Sequence, residues 1–192
     1  ALYRPMGSLA VSRQLALVAL NTAHETTKKV SRQGLDKLTA AERAALPALV
    51  LDDAEHRAWF EARMSSMDGE HGHGHGHAAA SGATGDDGSE ADDQASAAAA
   101  AERIYDAQVL WDETMADSAA RWLAADPGRR IVILAGNGHC HDSAIVRRLK
   151  RRGIDRTLSV RPIIDDGENV ASELVSPMTD YLFVMSMPGG EP

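Results

Sequence analysis

Ile131-Val132-Ile133-Leu134-Ala135-Gly136-Asn137-Gly138-His139 is the stretch on which the fold is read. Five apolar residues, three of them β-branched, run straight into a glycine turn. A basic segment through Arg147-Arg148-Leu149-Lys150-Arg151-Arg152 follows and is closed by Gly153. A short continuous apolar run is what a strand buried on both faces of a parallel sheet requires, and the basic segment predicts a helix over 142–152. Leu15-Ala16-Leu17-Val18-Ala19-Leu20 is a second run of this kind. Further strands are expected over 157–162 and 181–184. Between them the spacing predicts a helix over 23–32 that stops at Gly34, and a short one opened by the capping box Thr39-Ala40-Ala41-Glu42. A third is capped by Asp52-Asp53 and runs through Arg63. A long one covers 97–125, with the stripe Ile104, Gln108, Trp111, Met115, Ala119 and Trp122. Strands alternating with helices imply an α/β fold, mainly a parallel sheet flanked by helices. Residues 39–125 hold no strand candidate and are expected to form an inserted all-helical subdomain, the α/β body being 1–38 and 126–192.

The 192 residues carry 20 Lys and Arg against 28 Asp and Glu, a formal charge of −8. Seven of those eight surplus charges fall between Asp68 and Asp93, where there is no Lys or Arg, and the rest of the chain is nearly neutral. Such a balance excludes a nucleic-acid binder, which needs a net basic face. A hydrophobic content of 44% excludes a wholly disordered chain. Aromatics are only 4%, so Trp59, Trp111 and Trp122 stand out as packing anchors. No apolar run approaches the ~20 residues of a membrane span. The start, Ala1-Leu2-Tyr3-Arg4-Pro5, has neither an initiator Met nor a signal-like pattern, and a processed or truncated chain is the expectation. From about 68 to 96 there is no hydrophobic period, and a disordered His- and Asp-rich loop is expected.

Two stretches carry candidate chemistry. Gly136 and Gly138 allow a tight turn and close ligand approach at the end of a strand, where α/β proteins gather their sites. With Asn137 they present His139, suited to bind a metal or haem or to act as a base. The tract His71-Gly72-His73-Gly74-His75-Gly76-His77 places four imidazoles at alternate positions beside acidic residues, a donor set for Zn, Ni or Cu. The basic run Arg147, Arg148, Lys150, Arg151, Arg152 and Arg156 reads as a solvated helix face, with haem propionates, an anionic membrane face or the acidic loop as alternative partners.

The segment 131–139 with its basic helix resembles the ChaN-like haem-binding uptake family of the Tiki/TraB superfamily. Three more segments are similar to it in the same order. They are Val18-Ala19-Leu20-Asn21 leading into Lys29-Val30-Ser31-Arg32-Gln33-Gly34-Leu35 and Leu38-Thr39-Ala40-Ala41-Glu42-Arg43, then Ala107-Gln108-Val109-Leu110-Trp111-Asp112-Glu113-Thr114-Met115-Ala116, and Asp180-Tyr181-Leu182-Phe183. The resemblance implies haem as cofactor, a role in bacterial iron acquisition without catalysis, and a homodimer. It also implies a periplasmic or membrane-anchored extracytoplasmic location, any membrane association running through a lipid anchor that this sequence does not contain. Tyr105 is then a candidate phenolate ligand to iron beside His139, with His56 and Met64 as rivals. The family opens with a strand ending in a Gly-Glu-x-His motif, and nothing before Leu15 supplies one.

Two alternatives stay open. Superfamily kinship and His139 at a strand end suggest a metal-dependent hydrolase, which needs three ligands and an open position. The His-Gly tract suggests a metal-binding module.

Overall fold

A computed structural model of the chain describes residues 3–70, 90–165, 169–175 and 178–186. Among these, the order is α1 (Arg4–Ser12), α2 (His24–Gln33), α3 (Ala40–Ala44), α4 (Ala54–Glu70), α5 (Glu90–Ala124), α6 (Arg147–Arg151), β1 (Val160–Asp165), α7 (Asn169–Val175) and β2 (Tyr181–Ser186). A π-helical turn, Asp142–Val146, precedes α6. The fold is α/β with high helical content and a small parallel sheet. The expected loop at 68–96 is shorter at both ends, because α4 and α5 continue into it, and its remainder lies outside the described residues.

The local signals act as their chemistry requires. Gly34 ends α2 at φ +97°, a conformation that strains any residue with a Cβ. The Thr39 hydroxyl accepts from the Glu42 amide at 3.2 Å, and the Glu42 carboxylate accepts from the Thr39 amide at 2.6 Å. Lys29 donates to the same carboxylate at 2.7 Å. Lys29 foremost, then the Thr39 amide, holds Glu42 down to about 2. Thr39→Ala is expected to cost about 1 kcal/mol in urea denaturation; an unchanged midpoint would show that the box adds nothing.

The long helix α5 is the axis of packing, roughly 52 Å long. Val30 and Leu38 meet it at Ala107 and Leu110. Phe60 of α4 meets it at Tyr105 and Val109. Ile145 and Leu149 meet it at Met115, Ala116 and Ala119. Three neighbours therefore surround it, and its buried face is wider than the predicted stripe. Ile104, at the head of that stripe, is 40% exposed, and the three tryptophans are only partly buried.

Two expected strands are corrected. Residues 15–20 and 130–135 form no ladder, and among the described residues the sheet is β1 and β2 alone, paired in parallel from Val160↔Tyr181 to Asp165↔Ser186. A strand exists only through its neighbour, and β propensity supplies none. The second segment still keeps a strand's alternation. Ile131, Ile133 and Ala135 pack on the α5–α6 cluster, while Val132 is 85% exposed. The strand expected over 157–162 begins three residues later, and that over 181–184 extends to Ser186.

The basic run is also corrected, since it is not a solvated face. Arg148 is fully buried. Arg148, Arg151 and Arg152 all converge on the buried carboxylate of Glu113, and Arg147 pairs with Asp53 at 2.9 Å. Asp53, just before α4, and Glu113 of α5 thus clamp α6 to the rest of the chain, while Lys150 and Arg156 remain exposed.

Candidate functional site

Tyr105, Gln108 and Asp112 stand three and four residues apart, so α5 presents them on one face. Opposite, α4 presents His56 and Trp59 three residues apart. The turn after residue 135 closes the third side.

That turn is built around its own backbone. The His139 amide donates to Gly136 O at 2.8 Å, and Asn137 Nδ2 donates to Pro162 O at 3.3 Å, tying the turn to β1. Neither glycine occupies a positive φ. A Cβ at Gly136 would meet nothing within 4 Å, and one at Gly138 would touch only Trp59 at 3.9 Å and Gln108 at 4.0 Å. Gly136 therefore faces open space, whereas Gly138 turns toward Trp59 and Gln108.

Asp112 sits at the centre, fully buried. Its Oδ1 is 2.6 Å from His139 Nδ1, and its Oδ2 is 3.2 Å from His56 Nε2 in an oblique contact. The Arg148 guanidinium lies 3.9 Å from Oδ2. Burial alone would raise the Asp112 carboxyl, but the bonds to His139 and His56, together with the charges of His139 and Arg148, hold it below the usual carboxylate range. An ionised Asp112 accepts only, so His139 carries its proton on Nδ1. Gln108 Nε2 then has two acceptors, Gly138 O at 3.0 Å and Asp112 Oδ2 at 3.4 Å; its 3.1 Å approach to His139 Nδ1 is a contact without a shared proton.

The network runs on through His56, whose Nδ1 accepts from the Tyr105 hydroxyl at 3.2 Å. Four groups, His139, Asp112, His56 and Tyr105, thus form one polar chain leading from a partly exposed imidazole to a buried phenol. Burial pushes the Tyr105 phenol up, and the nearby cations Arg57 and Arg148 oppose it. His141 is a second buried imidazole, 3.8 Å from Trp59 between ring centroids and 5.6 Å from His56. Its Nδ1 bonds to the Ser143 hydroxyl at 2.9 Å, and its Nε2 has no partner among the described residues. Burial drives it down to about 3, so it is neutral near pH 7.

Of the candidates read from sequence, His139, Gly136, Asn137 and Gly138 share the turn, and Gly138 O reaches Gln108. Tyr105 and His56 join the same network from the buried side, 1% and 0% exposed. Met64 packs with Phe60 and Val109. His71, His73, His75 and His77 lie outside the described residues. Sequence reasoning does not single out Asp112, Gln108 or His141 as members of a site. The available signal for Asp112 is the acid pair Asp112-Glu113 inside the most apolar part of a long helix. Among the described residues, no three His, Cys, Asp or Glu side chains are grouped to hold a metal ion. No described helix is long and apolar enough to cross a membrane. An apolar cleft of about 280 Å³, lined in part by Leu35, Leu38, Leu46 and Leu49, shares no residue with this network.

No curated protein and no solved structure matches the chain. A family model described as haem-binding uptake, Tiki superfamily, ChaN, matches residues 1–149. That span holds the whole polar network and stops short of both paired strands. On this match over more than three quarters of its length, the chain belongs to the ChaN haem-binding uptake family of the Tiki superfamily.

Proposed function

We propose that the protein binds haem for bacterial haem and iron uptake without catalysing a reaction, and that His139 Nε2 is the iron ligand. The observation that carries this reading is the state of one imidazole. His139 has Nδ1 committed to Asp112 at 2.6 Å, keeps a partly exposed side chain, and makes no hydrogen bond through Nε2 among the described residues. Haem iron accepts such a nitrogen, and a carboxylate on the other ring nitrogen is the usual support for a metal-bound histidine. The donor set therefore fits the group. Open space beside Gly136, where an added Cβ would meet nothing within 4 Å, supports access of a flat macrocycle to that side of the turn. Tyr105, the other candidate, has its hydroxyl engaged by His56 and is sealed from solvent, so it serves the network from behind.

Titration with haemin tests the reading. His139→Ala is expected to weaken binding at least tenfold and to change the Soret band, because the iron loses its protein ligand. A Soret band and affinity identical to the wild type would reject His139, and no Soret shift in the wild type would reject haem binding. The same preparation, sedimented with and without haemin, tests the homodimer. An extracytoplasmic location, free or lipid-anchored, belongs to this reading and is checked by fractionating cells that express the full-length gene product. Zn, Ni or Cu binding by the His71–His77 tract is separable, since deleting 68–93 is expected to abolish it and spare haem.

A hydrolytic reading finds less support. His56, Asp112 and His139 are adjacent, but Asp112 Oδ1 is bonded to His139 and Oδ2 to Gln108, and among the described residues no three His, Cys, Asp or Glu side chains are grouped to hold a metal.

A further inference from the structure

We propose that the leucine-lined cleft on the helical side of the chain is a second ligand site, which takes a small aliphatic carboxylate and holds its head group on Arg43. The site lies between the 3-10 turn Leu35–Lys37, α3 and the segment 46–51. It is independent of the reading of His139.

The walls are apolar and already fixed. Apart from Arg43, the cleft is lined by Leu35, Leu38, Leu46, Pro47, Leu49 and Leu51. Leu38 is buried, and Leu35, Leu46 and Leu49 pack with it on Val30, Ala107 and Leu110. Leu51 packs on the neighbouring cluster of Phe60, Tyr105 and Val109. The core behind the cleft therefore sets its shape, and an apolar chain entering it meets a preformed wall. The volume is about 280 Å³. At ~30 Å³ for a water-sized group, that is room for about nine groups, an aliphatic chain of roughly eight to ten carbons. A porphyrin contains far more atoms than this space holds.

Charge at the rim selects the head group. Lys29 is paired with Glu42 at 2.7 Å, and Lys37 with Asp36 at 2.9 Å. Arg43 forms no ion pair among the described residues. Its NH2 donates to Leu35 O at 2.8 Å, which anchors the guanidinium at the cleft and leaves its remaining N–H groups without a protein acceptor among those residues. Asp36 lies close enough to feel Arg43, but its carboxylate is taken by Lys37. A planar guanidinium beside an apolar wall favours an anionic, flat head on an aliphatic tail, and a carboxylate matches its fork.

The test follows leucine methyl NMR signals of the full chain while hexanoate, octanoate, decanoate, dodecanoate or octanol is added. Octanoate is expected to shift the methyls of the lining leucines. Affinity should rise by up to about fourfold per methylene. It should stop rising near about ten carbons, where the cleft is full. Arg43→Gln is expected to weaken octanoate about tenfold and leave octanol unchanged, and Arg43→Lys should recover part of the loss. His139→Ala should bind octanoate like the wild type, so failure of haem binding leaves this site standing. No methyl shift up to the solubility of octanoate, or shifts confined to other residues, overturns the proposal. Equal binding of octanoate in Arg43→Gln and the wild type overturns it too, as does affinity that keeps rising through dodecanoate, the mark of unspecific adsorption.

Discussion

Glu113→Gln is expected to destabilise the ligand-free chain by about 3–5 kcal/mol, the largest single effect that the structure predicts. Glu113 is fully buried and faces three guanidinium groups. Arg148 Nε is 3.4 Å from Oε1, Arg152 NH2 is 2.8 Å from Oε2, and Arg151 also donates to Oε1. A glutamine of the same shape leaves packing intact and removes the charge. Arg151 and Arg152 are partly exposed and can turn to water, but Arg148 is sealed. It would keep the more distant Asp112, His56 Nδ1 at 3.5 Å from NH2, and the Ser143 and Ala144 carbonyls, which accept from NH1 at 2.7 and 3.0 Å. A buried cation without a close counter-charge is the costly outcome. In thermal melts the loss corresponds to roughly 6–20 °C. Adding Arg148→Met to the Glu113→Gln variant should recover part of it, because the stranded charge is then gone. A loss below about 1 kcal/mol for Glu113→Gln would show that the clamp is not the main tie between α5 and α6.

The second large effect is a loss of stability in mild acid. His141 titrates near 6.5 in an unfolded chain and is held down to about 3 in the folded one. Burial is the main cause; His56 and Arg148 act in the same direction, while Asp112 and a backbone hydrogen bond involving Gly138 oppose it. Below pH 6.5 the unfolded chain takes up a proton that the folded chain refuses, so stability falls with pH and the loss continues toward pH 3. One such group contributes up to about 1.4 kcal/mol per pH unit, or roughly 2 kcal/mol by pH 5. Urea denaturation of the ligand-free protein at pH 7, 6 and 5 measures this. His141→Phe should lower the baseline, since Ser143 loses its partner, and should flatten the slope between pH 6.5 and 4.5. An equal slope in both proteins would remove His141 as the source.

The helical part of the fold was legible in the sequence because its signals are local. Gly34, the Thr39–Glu42 box and the period of α5 each act within a few residues and needed no knowledge of partners. Strands were less legible. Residues 131–135 have the composition and alternation of a strand, yet pairing is a property of two segments and cannot be read from one. The basic helix misled for a related reason. Six cations in ten residues suggest a wet surface when their counter-charges, Asp53, Glu113 and Asp117, lie far away along the chain. The site was half visible. His139 and its glycines announced themselves through a turn motif, and Tyr105 and His56 through their chemistry. Asp112, which joins them, looked like one more acid on a helix, and only burial on three sides of α5 reveals its place.

Arg148 has a consequence for how the two halves of this architecture communicate. Its guanidinium lies between adjacent carboxylates that point in different directions, Glu113 in the helix clamp and Asp112 in the His139 network. Charge withdrawn from Asp112 by a cation at His139 alters what Arg148 can share with Glu113. Any such coupling is reciprocal by thermodynamic necessity. A ligand at the turn and the docking of α6 therefore draw on a single electrostatic reservoir, and substitutions chosen to tune one will be felt by the other.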